Sequence, residues 1–211
     1  HFLLATSFIV LTWTGFALLY PDQFWAAPLL LWEKQFSLRS IVHRVAAIVF
    51  VITAVLHVVL TARSERLRHH WLEMLPKVSD LREAASGFAY NLGLKRERAP
   101  LSQHSYIEKA EYWAVVWGFL VMAVSGILLW ANQWSLRFLP KVVLDIATAV
   151  HFYEAVLAAA AIVIWHFYFV LVDPEVYPMD TAWLTGRSVR REKRADPHAN
   201  DPEPGEGAES D

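Results

Sequence analysis

Residues 43–62 read HRVAAIVFVITAVLHVVLTA. After Arg44 the run carries no charge. As a helix it is long enough to cross the ~30 Å apolar core of a bilayer. It nevertheless holds two histidines, His43 and His57, one near each end. Ionisable side chains are costly inside a membrane and mark function there. The 14-residue spacing corresponds to ~21 Å of helical rise and keeps the two within ~40° of one face.

Three more charge-poor stretches flank this run. Phe2 to Pro21 and Tyr112 to Leu136 carry no charge, and Ile146 to Val172 carry only Glu154. Spans are therefore expected at about 2–20, 41–62, 112–131 and 146–172. They make an all-α, integral membrane four-helix bundle set in lipid. Buried helices of a large soluble protein would show a polar stripe, which these barely do. Across 211 residues, 55% are hydrophobic and 19% charged, too apolar for a soluble domain of this size. The chain opens on His1 and not Met, which reads as a processed or truncated product. No cysteine is present. That excludes disulfides, cysteine-ligated iron–sulfur clusters and thioether-attached haem within these residues. The net charge of -2 gives no electrostatic case for nucleic acid.

The remaining charges set an orientation. Four spans place both termini and the segment 63–110 on one side. That segment carries Arg63, Arg66, Arg68, Lys77, Arg82, Lys95, Arg96, Arg98 and Lys109, and the tail adds five more cations. The opposite side has only Lys34, Arg39, Arg44, Arg137 and Lys141. The excess of Lys and Arg predicts cytoplasmic termini in an inner, cytoplasmic membrane. Trp71, Leu72, Met74, Leu75, Val78 and Leu81 predict an amphipathic surface helix within 63–110. A second short helix is expected over Phe24–Trp32. Residues 1–186 read as the membrane domain. Residues 187–211, rich in Pro, Glu and Gly, read as a disordered tail.

Nine histidines are present. His69, His70, His104 and His198 fall outside the spans and read as surface residues. His151 and His166 lie on the fourth span, 15 apart, or ~22 Å of rise and ~60° of rotation. Spans 2 and 4 run the same way, so His43 and His151 share the outer layer, and His57 and His166 the inner. Two layers of neutral imidazoles suit two stacked haems, each iron held from both faces. His1 stands at the inner end of span 1, so the inner layer has three candidates for two positions. In a left-handed bundle 14 residues return to one face and 15 overshoot by ~100°. That turns His166 toward span 1 and favours His1, with His57 as the alternative ligand or as a contact to a propionate or quinone. Gly15, Gly118 and Gly126 give a porphyrin room, or simply allow close helix packing.

Four strings carry a family likeness: HFLLATSFIVLTWTGFALLYPD (1–22), HRVAAIVFVITAVLHVV (43–59), YIEKAEYWAVVWG (106–118) and HFYEAVLAAAAIVIWHFYFVLVDPEVYPM (151–179). They resemble the cytochrome b subunits of formate dehydrogenase-type respiratory complexes, and the related hydrogenase and thiosulfate reductase cytochromes b. The resemblance covers about residues 1–186. It implies two haem b groups, the outer on His43 and His151 and the inner on His1 and His166. It also implies a quinone site near the cytoplasmic haem, the quinone being menaquinone or ubiquinone. A periplasmic iron–sulfur or multihaem cytochrome subunit would exchange electrons with the outer haem. The additional His57 and the long segment 63–110 depart from that pattern.

Glu108, Glu111 and Tyr112, entering span 3, are the expected quinone residues, with Glu154 competing for the role. No catalytic residue is read from the chain. It reads as the electron-transfer subunit of a membrane oxidoreductase complex. A partner is expected over Tyr20–Ser40 and Ala131–Leu144. The alternatives are a stand-alone transmembrane ferric or ascorbate-type reductase, for which the outer loops are short, and a His-lined metal transporter, for which only Glu154 lines a path.

Overall fold

The computed structural model describes residues 1–31, 37–97, 104–174, 177, 179 and 181–186. Every regular element among them is helical. Two compact units are formed, His1–Ala161 and Ile162–Asp211.

In the first unit α1 (Phe2–Leu19) is followed by the short α2 (Ala27–Leu31) and by α3 (Leu38–Arg63). Two outlying helices, α4 (Glu65–Glu73) and α5 (Val78–Asn91), lead to α6 (Tyr106–Trp130). A single turn, α7 (Asn132–Ser135), precedes α8 (Lys141–Ala160). Four helices are long and apolar enough to cross a membrane: Phe2–Leu19, Leu38–Arg63, Tyr106–Trp130 and Lys141–Val172. The expected spans are thus present, each of the last three beginning three to six residues earlier than expected. The reason is local. Helices start where backbone N–H groups find a cap, and charge-free runs mark only what lipid tolerates. Ser105, for example, caps α6 by accepting from the Glu108 backbone N–H at 3.4 Å.

The one surface helix expected in 63–110 is two. Pro76 falls between them; a proline ring cannot donate into a helix interior. Ser64 caps α4 and the Asp80 carboxylate accepts the Lys77 backbone N–H at 2.7 Å to start α5. Trp32, Lys34, Arg98 and the expected disordered tail, 187–211, lie outside the described residues.

The packing is inverted relative to a water-soluble bundle. Apart from Ile107 and Leu144, buried positions in the spans are small or polar: Ser7, Thr14 and Ala17 in α1, Ala46 in α3, Lys109, Gly118 and Ser125 in α6, Ala147 in α8. Ile9, Val58, Trp117, Ile127 and Leu157 face outward. Such a surface is stable in hydrocarbon, where small residues let helices approach and apolar ones lose nothing by exposure.

α1 packs along α3, and α6 along α8. Large rings and one cation bridge the two pairs. Phe16 and Tyr20 of α1 meet Phe152 of α8 edge-on, and Phe50 of α3 meets Phe119 of α6 at 5.9 Å. The Arg44 guanidinium lies 5.3 Å over Trp130. The π-helical turns are Ala161–His166, which lies in the second unit from Ile162 onward, and Tyr168–Val172. A last turn, α9 (Ala182–Thr185), ends at Gly186 with φ 75°, a left-handed conformation that costs glycine no strain.

Candidate haem site

Between the helix pairs, His43 of α3 and His151 of α8 face one another with ring centres 6.4 Å apart. Two imidazoles bound to one metal at ~2.0–2.1 Å, plus ~1.1 Å from each nitrogen to its ring centre, stand ~6.3 Å apart. The spacing therefore fits an iron between them.

The protonation state also fits. The Thr14 hydroxyl donates to the Val10 carbonyl at 2.6 Å. Its one proton is thereby committed, so at 3.0 Å from His43 Nδ1 it acts as acceptor. With Thr14 accepting, His43 carries its proton on Nδ1, which leaves the Nε2 lone pair for a metal. The same device recurs in the other pair. The Ser125 hydroxyl donates to the Val121 carbonyl at 2.7 Å and stands 2.9 Å from His151 Nδ1. Metal-binding histidines are commonly held this way, by a partner on the nitrogen away from the ion.

A glycine follows each hydroxyl. A Cβ on Gly15 would meet His43 Cε1 at 3.2 Å, and one on Gly126 would meet His151 Cε1 at 3.2 Å. Each imidazole therefore lies against bare backbone. Thr14–Gly15 and Ser125–Gly126 form matched cradles on α1 and α6, one for each ring. Gly118 has a different neighbour, since a Cβ there would come within 2.9 Å of Glu154 Oε1.

The other expected site residues separate. His57 Nε2 lies 3.3 Å from the Tyr112 hydroxyl, which also accepts from Trp71 Nε1 at 2.9 Å. His1 is the residue before α1 and is exposed. His166 ends the first π-helical stretch in the second unit. Glu108 and Glu111 sit in the opening turns of α6, and Glu108 lies 3.6 Å from His104. Of the outer cations, Arg39 donates to the Ala17 carbonyl at 2.7 Å and Arg44 stacks on Trp130. Of the outer apolar surface, Phe24, Leu31, Trp134 and Phe138 are exposed.

One expectation is corrected. His104 is not a surface residue: it is 4% exposed, between Glu73 and Glu108. Burial follows from the fold-back of α4 onto the start of α6, which a linear reading could not see. The hydroxyls of Thr14 and Ser125 were likewise missed. Their signal in the sequence is faint, a Thr-Gly and a Ser-Gly in the two spans that carry neither His43 nor His151.

Two imidazoles lie 6.4 Å apart between helices long and apolar enough to span a membrane, each with a hydroxyl at its Nδ1, a donor set that would suit a haem iron. The prokaryotic cytochrome b561 family model matches residues 1–181, and the chain belongs to that family. No curated protein and no solved structure matches the chain. Membership makes the chain a haem b-binding protein of transmembrane electron transfer. The expected narrower kinship, with formate dehydrogenase-type subunits, is a finer division than the family.

Proposed function

We propose that His43 and His151 are the axial ligands of one haem b. The observation that carries this is the opposed pair itself, 6.4 Å between ring centres, with both Nδ1 atoms committed to hydroxyls. Held by these two imidazoles, haem iron would supply a one-electron couple and would offer no open site to oxygen or substrate. The chain's own residues do the rest. Thr14 and Ser125 fix the tautomers, Gly15 and Gly126 admit the rings, and the apolar helices keep water from the centre. The test is haem content and the reduced-minus-oxidised spectrum of single variants. His151→Ala and His43→Ala each lose this haem; retention of full haem content in either would overturn the assignment.

A second haem b, on His166 with His1 or His57, rests on the two histidine layers, and its choice of His1 on the sequence resemblance. The inner-membrane setting with cytoplasmic termini rests on the excess of Lys and Arg in 63–110 and the tail. The periplasmic iron–sulfur or multihaem partner, and the quinone pool as the other redox pole, rest on the resemblance. Within that reading, His57 and Tyr112 are the residues we place at the quinone. A quinone carbonyl takes a hydrogen bond, and these two already share one at 3.3 Å. Glu154, against Gly118, is the competing residue. Tyr112→Phe and Glu154→Gln, assayed for quinol-dependent haem reduction, separate them. Loss in the Glu154 variant alone would move the quinone away from Tyr112.

A further inference from the structure

The segment between α3 and α6 gathers donors that the haem reading leaves unused. His70 and Glu73 are three residues apart on α4 and so share a helix face. His104 stands just before Ser105, the cap of α6. One ligand atom from each of these three residues lies within 4.8 Å of the other two. His104 Nε2 and Glu73 Oε2 are 3.2 Å apart. Two ligands of a tetrahedral ion with bonds of ~2.0–2.1 Å stand ~3.3 Å apart.

The surroundings are those of a metal-bound imidazole. His104 Nδ1, the nitrogen turned from Glu73, lies 3.6 Å from Glu108 Oε2. A carboxylate on the far nitrogen of a ligating histidine orients the ring and raises its basicity. The His70 and His104 rings meet edge-on at 81° with centres 4.6 Å apart, so they do not stack. The other oxygen of Glu73, Oε1, is 3.5 Å from His69 Nδ1. His104 is buried while His70 is exposed. The cluster is therefore closed on one side and open to an entering ion and water on the other.

We propose that His70, Glu73 and His104 bind one divalent transition-metal ion of the zinc class. Two imidazoles and one carboxylate form a borderline donor set, and water completes the tetrahedron. The ion would clamp α4 to the start of α6. Trp71, which follows His70, bonds Tyr112, so the clamp also fixes the Trp71–Tyr112–His57 chain.

The experiment uses the full haem-loaded chain in detergent, without a polyhistidine tag, titrated with zinc chloride and, separately, with cobalt chloride. One zinc per chain is expected beyond the haem iron, and cobalt should show the visible bands of a tetrahedral site. His70→Ala and Glu73→Gln should each weaken zinc by at least ~100-fold, beyond the ~10–100-fold of an outer-shell change, and leave the haem spectrum unaltered. Exposed His70 makes its variant the safer of the two for folding. Zinc should also slow amide exchange in α4. Failure to bind zinc would mean that the cluster is only a His–Glu ion pair. Zinc binding that survives both substitutions would place the metal elsewhere. Either result overturns the proposal.

Discussion

Thr14 and Ser125 each spend a single hydroxyl proton on their own helix and so turn a lone pair to an imidazole N–H. Thr14→Val keeps the shape and removes the hydroxyl acceptor, leaving the His43 ring only the Leu11 backbone carbonyl, at a cost of ~0.5–1.5 kcal/mol. Haem affinity should fall by about 10–100-fold, and Thr14→Ser should restore it. An imidazole that has lost its acceptor is a poorer donor and stabilises ferric iron less, so the midpoint potential should rise. Redox titration of the variant checks the sign; an unchanged potential with unchanged haem content would deny Thr14 this role. Gly126→Val tests the cradle from the other side. Even a Cβ stands 3.2 Å from His151 Cε1, so branched carbons must displace the ring, and this haem should be lost on purification.

Among the elements, α5 is held to α6 by a buried ion pair. Lys109 Nζ donates to both carboxylate oxygens of Asp80 at 2.8 and 2.9 Å, with the lysine side chain 6% exposed. Burial alone would raise the Asp80 pKa. The hydrogen bonds from Lys109 and from the Lys77 backbone, and the charges of both lysines, outweigh it and hold the carboxyl below its usual range. A depressed carboxylate stabilises the fold fully above its unfolded pKa of ~3.9 and loses that contribution as pH falls through the lower folded value. Amide exchange in α5 should therefore be slow at neutral pH and accelerate only in acid below the ordinary carboxylate range. Lys109→Met strands the buried carboxylate, a loss on the order of 3 kcal/mol, and should bring that fast exchange to neutral pH. Equal α5 exchange in variant and parent would show that the ion pair contributes nothing. Ala161–His166 is π-helical, with i→i+5 hydrogen bonding and a different turn per residue, so the direction of His166 does not follow uniform α-helical periodicity.

At the scale of the whole molecule, the expected orientation is open to a direct measurement. The chain has no cysteine, so single cysteines are clean probes. The excess of Lys and Arg in 63–110 predicts that Arg68→Cys, on α4, faces the cytoplasm and that Phe138→Cys, after α7, faces the opposite side. A membrane-impermeant maleimide should label Phe138→Cys in right-side-out vesicles and Arg68→Cys only in inverted ones. The reverse pattern would invert the topology, and the quinone and partner sides with it. Exposed Phe24, Leu31, Trp134 and Phe138 are the apolar residues over which a partner is expected to dock. Cross-links from these positions to a redox protein, and their absence from Arg68, are the expected outcome.

The sequence by itself determined the helical class and the four spans, and it singled out His43 and His151, which the structure brings to 6.4 Å. Each follows from a property local in the chain: uncharged length, set against the cost of charge in hydrocarbon, and the intrusion of His43 and His151 into such runs. The family likeness was legible for the same reason, being carried by contiguous strings. What only the tertiary structure decided were relations between residues far apart. Thr14 meets His43 across 29 positions, Ser125 meets His151 across 26, and His104 meets Glu73 across 31. A hydroxyl in an apolar span looks the same in sequence whether it bonds its own helix alone or also fixes a neighbour's tautomer. A histidine among charges looks exposed until α4 folds against the start of α6 and buries it. Periodicity along one helix fixes a face, but which face meets which depends on how the helices pack, and packing is decided by side chains from all of them at once.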